Sequence, residues 1–90
     1  MDSRRPSVLM VAAKWWPLSA RLAMALVRHR CRVSALCPTG HPLSYVTQLD
    51  RVWRYRGLGS LESLSRAIRH GRPDIVIPCD DGVVAQLHAL

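Results

Sequence analysis

The chain lacks any apolar stretch long enough to cross a membrane. The apolar run 8–13 ends at Lys14, and a transmembrane helix needs about 20 apolar residues. This run follows Arg4 and Arg5 and is too short for the core of an export signal. The sequence therefore predicts a cytoplasmic protein with no membrane partner.

Cysteine is scarce as well. The three cysteines, Cys31, Cys37 and Cys79, cannot all pair within one chain, and none belongs to a CxxC pair. This usage is typical of small apolar residues in a reducing compartment rather than of a disulfide framework. No metal site is predicted.

Acidic residues are too few to balance the basic ones. The 13 Lys and Arg residues against 6 Asp and Glu give a formal net charge of +7. This excess permits binding to nucleic acid, to a phosphorylated ligand or to an acidic surface. The arginines are scattered without any run of five like charges, which favours a solvated basic surface over a nucleic-acid partner.

The chain does contain aliphatic runs that alternate with helical patterns. The runs 7–13, 32–37 and 74–78 predict strands, the first and last of them buried in a parallel sheet, and 52–55 predicts a shorter strand. The segment 18–29 predicts an amphipathic helix. Its expected buried stripe consists of Leu18, Leu22, Ala25 and Leu26.

Two further helices are predicted downstream. One begins near Ser60 as N-cap and stops at Gly71. The other begins at Val83, with Asp80 or Asp81 as its N-cap, and reaches residue 90 without a stop signal, which predicts a longer parent chain. A short helical turn is expected around 45–49.

The order strand–helix–strand–strand–helix–strand–helix predicts one α/β domain over residues 1–90. We expect a three-layer, Rossmann-like half-sheet of about four mainly parallel strands flanked by helices. Glycine is missing from the turn 12–17, where a dinucleotide pyrophosphate would need close approach to backbone amides. The second strand ends in Cys37 rather than in an acidic residue that could hold a ribose, so an independent NAD- or FAD-binding domain is not expected.

The segment 72–87 (Arg-Pro-Asp-Ile-Val-Ile-Pro-Cys-Asp-Asp-Gly-Val-Val-Ala-Gln-Leu) resembles the last strand–helix unit of the N-terminal domain in ATP-grasp enzymes. Those ligases join a carboxylate to an amine or thiol through an acyl-phosphate. Segments 50–55 and 60–64 look like that family's middle part. The resemblance covers most of the chain and rests on aliphatic motifs.

The resemblance implies a non-catalytic pre-ATP-grasp domain of a longer ATP-dependent ligase. ATP and magnesium would be held only by downstream domains, which are the implied partners, and this chain would hold no cofactor. In the family the front domain supports the fold and sometimes lines the acceptor-substrate cleft. The alternative is a small basic module that binds nucleic acid or a phosphorylated ligand. As an isolated piece, a half-sheet with open edges is also expected to form a homo-oligomer.

Ligands of open parallel sheets bind beyond the carboxyl ends of the strands, and three loops qualify there. No catalytic residue is predicted. The candidates for a substrate site or domain interface are Lys14, Trp15, Trp16, Thr39, Gly40, His41, Asp80 and Asp81.

Each candidate has a structural alternative. Trp15 and Trp16 are adjacent, so one is expected either to stack on a ligand or neighbouring domain or to pack in the core. Lys14 could meet a phosphate or remain solvated. Helix capping is favoured over magnesium or acid–base chemistry for the two aspartates, because no acidic residue lies in 8–13. A loop role is favoured over metal ligation for His41.

Overall fold

The computed structural model describes residues 5–55 and 60–90, without the side chain of Ser60. It contains strands β1 (Ser7–Val11), β2 (Arg32–Cys37), β3 (Arg51–Arg54) and β4 (Ile75–Pro78), helices α1 (Leu18–Arg28), α2 (Ser60–Gly71) and α3 (Asp81–Ala89), and a 3-10 turn, Pro42–Tyr45. The strands form one sheet in the order β3-β2-β1-β4, and every pairing is parallel. The predicted α/β class is confirmed.

The register places alternate residues of each strand on opposite faces of the sheet. Val8 lies opposite Val33 on one side and Ile75 on the other, so these three side chains share a face. This α1 face packs against Ala23 of α1 and Leu43 of the 3-10 turn. The opposite face, the α2 face, carries the core residues Leu9, Val11 and Leu36, with Leu64 and Ala67 of α2 and Val83 of α3. Helices therefore cover both faces, which makes the predicted three layers.

The buried stripe of α1 differs from the prediction by about one position. Ser19 and Ala23 are fully buried, whereas Leu18 and Leu22 are exposed. The helix approaches the sheet through small side chains, and the Ser19 hydroxyl donates a hydrogen bond to the carbonyl of Trp16 at 2.6 Å. Because this bond satisfies the buried hydroxyl, a serine is tolerated where an aliphatic residue was expected.

The prediction that β4 is a buried strand is wrong. Its Ile75 side chain is 51% exposed. The cause is position, because β4 pairs only with β1 and lies at the edge of the sheet. An aliphatic run can therefore also form an edge strand, which has no described neighbour on its outer side.

The ends of α2 are only partly as predicted. The helix includes Gly71, and the left-handed conformation at its end is adopted by Arg72, with φ 47°. The expected capping by the Ser60 side chain lies outside the described residues. Within the residues that the structure describes, no helix has the length and apolar character to cross a bilayer.

Candidate functional site at the carboxyl end of the sheet

The loops that follow β1 and β4 are joined by one carboxylate. Asp80 Oδ2 accepts hydrogen bonds from the backbone N–H groups of Ala13 at 2.8 Å and Lys14 at 3.0 Å. Asp80 Oδ1 accepts a third from the backbone N–H of Val83 at 3.0 Å. Asp80 is therefore the N-cap of α3, as predicted, and it also ties the end of β4 to the turn after β1.

The environment of Asp80 favours its ionised form. Burial opposes ionisation, but hydrogen bonds from the backbones of Ala13, Lys14 and Val83, with the charge of the Lys14 side chain, outweigh it and lower the pKa of Asp80 below its usual 3.8. A fixed negative charge therefore sits between the ends of β1 and β4 at neutral pH.

A histidine holds the same turn from the other side. His41 is 2% exposed, and its Nδ1 accepts a hydrogen bond from the backbone N–H of Leu43 at 3.1 Å. That nitrogen consequently carries no proton, and Nε2–H donates to the carbonyl of Lys14 at 2.7 Å. The predicted loop histidine is thus a buried structural residue, whose ring is held in one tautomer by two backbone groups.

Lys14 is consequently held at both of its backbone polar groups. We call this arrangement the Lys14 clasp, formed by Asp80 on the N–H and His41 on the carbonyl. Its members are 66 and 27 residues from Lys14 along the chain, yet the sheet brings them together because all three loops follow neighbouring strands. The clasp fixes the backbone of the turn that carries the two tryptophans.

Both tryptophans of this turn face solvent. Trp15 is 70% exposed and Trp16 is 45% exposed, and Lys14 is exposed beside them. The alternative in which one of the two packs into the core is therefore wrong. Two large aromatic side chains on a rigid turn form an amphipathic surface suited to contact with another molecule.

The first two amides of the turn after β1 are not free for a phosphate. In folds of this type, backbone N–H groups at this position bind the phosphates of a nucleotide. Here the N–H groups of Ala13 and Lys14 already donate to Asp80. A phosphate at this turn would have to compete with Asp80 for these two donors.

A buried cysteine, Cys37, and a partly buried one, Cys79, flank the end of β1. Continuation of the register places Cys37 and Cys79 on either side of Ala12, about 10 Å apart at their Cα atoms, which is too far for a disulfide. Burial, with their mutual interaction, raises the pKa of the Cys37 thiol to about 11, and burial followed by the charge of Asp80 raises that of Cys79 to about 11. All three cysteines are free, and this pair is unreactive at neutral pH.

The remaining candidates are peripheral to the clasp. Thr39 and Gly40 lie on the exposed loop after β2, where Gly40 adopts φ +82°, a conformation that favours glycine. Both residues border a surface cavity on the α1 face. Asp81 is exposed in the first turn of α3 and is not part of the clasp.

One residue of this region was missed by the sequence reasoning. Tyr55, directly after β3, is buried on the α2 face, and its hydroxyl has no hydrogen-bond partner among the described residues. Burial, followed by the nearby charge of Asp80, raises the pKa of Tyr55. The only sequence signal was an aromatic residue at the end of a strand pattern, which does not distinguish a core residue from a site residue.

Within residues 5–55 and 60–90, no group of three or more His, Cys, Asp or Glu side chains is arranged to hold a metal ion. Comparison with protein families, characterised proteins and solved structures gives no match. Functional inference therefore rests on the geometry of this end of the sheet.

Proposed function

We propose that the chain is the non-catalytic N-terminal domain of an ATP-grasp-type ligase. The observation that best supports this proposal is the occupation of the Ala13 and Lys14 amides by Asp80. Since two of the amides that could bind phosphate in such a sheet already donate to the protein's own carboxylate, nucleotide binding at this turn is disfavoured. This agrees with ATP and magnesium bound by downstream domains, as the resemblance implies.

In this proposal the carboxyl end of the sheet is a docking platform. The Lys14 clasp fixes one turn, and that turn presents Trp15 and Trp16 to solvent. A rigid backbone with exposed aromatic side chains loses little conformational entropy when another domain packs on it. The domain would thus support the ligase and shape its cleft without reacting itself.

The first experiment tests the absence of a nucleotide site. The purified chain is heated with and without millimolar ATP and magnesium, and ADP release is followed in the presence of carboxylate and amine acceptors. We expect no rise in the melting temperature and no ADP release. Ligand-dependent stabilisation, or turnover by this chain alone, would refute the non-catalytic role.

The second experiment tests the family itself. The reading frame that encodes this chain is expected to specify a glycine-rich lid and paired metal-binding carboxylates downstream. In that longer protein, replacement of both Trp15 and Trp16 by Ala should weaken ligation while leaving the fold of this domain intact, because both side chains are exposed. A reading frame without these features would eliminate the ligase proposal.

The second candidate function is a basic module for nucleic acid or a phosphorylated ligand. The net charge of +7 favours it, with exposed arginines on α1, β3 and α2 such as Arg21, Arg54 and Arg66. Binding of this kind weakens steeply with salt, because phosphate contacts release counterions. Titration with short DNA and RNA at low and high salt tests it, and no complex at low salt would eliminate it.

The proposal of an isolated ligase domain includes self-association of this chain. The edge strand β4 (Ile75, Val76, Ile77 and Pro78) has no charged side chain, so its protection is limited to its short length and to Pro78. We expect sedimentation velocity to show dimers or larger species that increase with concentration. A monomer at every concentration would contradict this expectation.

A further inference from the structure

A surface cavity lies between the 3-10 turn and the ends of β2 and β3. Its volume is about 400 Å³. Small-molecule sites usually enclose roughly 300–1,000 Å³, so the cavity can hold a compact metabolite. Its walls include Pro38, Thr39, Ser44, Tyr45, Val52 and Arg54.

The cavity occupies the part of the sheet where ligands of parallel sheets bind. It lies beyond the carboxyl ends of β2 and β3. Beside the turn after β1, Asp80 occupies the amides of Ala13 and Lys14. The cavity lies one strand away from that position, toward β3.

Among the described residues that line the cavity, the cationic side chain is that of Arg54. The register pairs Arg54 with Cys37, which puts the Arg54 side chain on the α1 face. Its guanidinium has no hydrogen-bond or ion-pair partner within the described residues. Arg51 lies on the same strand and the other face, where its Cζ sits 4.1 Å from the centroid of the Trp53 ring. Arg54 is thus available to a ligand, whereas Arg51 is engaged.

The other walls combine hydroxyl groups with apolar surface. Tyr45 is 73% exposed at the end of the 3-10 turn, and Thr39 is exposed on the loop before it. Val52 and Pro38 provide aliphatic contact. A guanidinium binds carboxylates and phosphates in a bidentate manner, and a tyrosine ring packs on flat apolar groups.

We propose that this cavity binds a small organic anion, with one carboxylate or phosphate on a flat apolar body. Arg54 binds the anionic group, Thr39 supplies a hydroxyl beside it, and the body lies against Tyr45 and Val52. The inference depends on the cavity alone and stands whether or not the chain belongs to a ligase.

The test is a titration of the whole chain, followed through its backbone amide NMR signals. Benzoate and phenyl phosphate are the probes, and neutral benzamide is the control for benzoate. We expect the amides of Thr39, Gly40, Ser44, Tyr45 and Arg54 to shift, with millimolar affinity and with benzamide at least about tenfold weaker. The stronger of the two anions identifies the preferred anionic group.

Two variants of β3 make the test specific. Arg54→Gln should weaken binding about tenfold, whereas Arg51→Gln, an equal charge change on the opposite face, should alter it less than about twofold. The spectrum of each variant without ligand reports whether that variant is folded. A third variant, Tyr45→Ala, removes part of the apolar wall without changing the charge. Absence of shifts at about 20 mM probe, equal binding of benzamide, or equal losses in both arginine variants would overturn the proposal.

Discussion

The two strand–helix–strand units of this chain are built alike and placed differently. In both, the helix is followed by an arginine in the left-handed conformation, Arg30 with φ 69° before β2 and Arg72 with φ 47° before β4. The first unit sets β1 and β2 side by side at the centre of the sheet. The second sends β3 and β4 to its opposite edges. The difference shows that position in the sheet, rather than the local pattern, decides how much an aliphatic strand is buried.

The units consequently depend on different interactions. Leu36 of β2 is fully buried, and the first unit, with the residue after β1, supplies seven of the eight buried core residues on the α1 face and three of the seven on the α2 face. β4 has a sheet neighbour on one side only, and Asp80 adds two side-chain bonds that join its end to the turn after β1. The first unit should therefore respond mainly to loss of apolar volume, and β4 to loss of polar contacts.

The largest expected effect is the difference in stability loss between a buried residue of the first unit and a half-exposed residue of the second. Leu36→Ala should lower the free energy of unfolding by about 2–5 kcal/mol, because it leaves a cavity in a closed core. Ile75→Ala should cost less than about 1 kcal/mol, since half of that side chain is already in water. Urea denaturation followed by circular dichroism measures both. Equal losses would show that β4 is as well packed as β2.

The next effect concerns the bonds that hold β4. Asp80→Asn should destabilise the domain by about 1–2 kcal/mol, because an amide cannot accept all three N–H donors and the site is only partly buried. The matched control is Asp81→Asn on the exposed first turn of α3, with an expected loss below about 0.5 kcal/mol. Amide hydrogen exchange should accelerate in β4 and α3 for the first variant only. Faster exchange in β1 and β2 to the same extent would contradict local anchoring.

The same anchor predicts a defined acid dependence. The pKa of Asp80 is lower in the folded chain than its usual 3.8, so its contribution is complete above about pH 4. It is lost as the pH falls through the folded-state value, since protonation then costs the native state more than the unfolded one. The stability difference between the natural chain and Asp80→Asn should shrink below pH 4. A difference that stays constant down to pH 2.5 would exclude ionisation as the source.

The smallest expected effect concerns the left-handed arginine that follows the helix in each unit. Arg30→Gly and Arg72→Gly should each raise the free energy of unfolding by about 0.5 kcal/mol, because glycine adopts positive φ without the steric cost of a β-carbon. Similar gains in both variants would confirm that the two turns are equivalent. A gain at Arg30 with a loss at Arg72 would show that the second arginine makes a contact that outweighs its backbone strain.

The sequence predicted the local features of this fold well. The strands and helices follow from hydrophobic periodicity, and the cap at Asp80 follows from an aspartate between an aliphatic strand and a helical pattern. The buried stripe of α1 was harder, because Leu18 and Leu22 have the right spacing while the smaller Ser19 and Ala23 face the sheet. Hydropathy favours the large residues, but close packing of helix on sheet favours the small ones.

The clasp could be predicted only in part. Lys14, His41 and Asp80 were each singled out as loop residues at one end of the sheet, and the structure brings them together there. Their hydrogen bonds were not foreseen, because these bonds engage the backbone of Lys14, which every residue type possesses. The exposure of Trp15 and Trp16 likewise follows from the fixed path of that backbone rather than from their composition.

The distance along the chain between Asp80 and its partners also constrains the order of folding. The bond from the Lys14 N–H spans 66 residues, and closing a loop of that length costs entropy, so we expect this bond to form after β4 has been added beside β1. The local β1–α1–β2 unit can organise before that step. We therefore expect the contact that completes the exposed end of the sheet to be among the last to form.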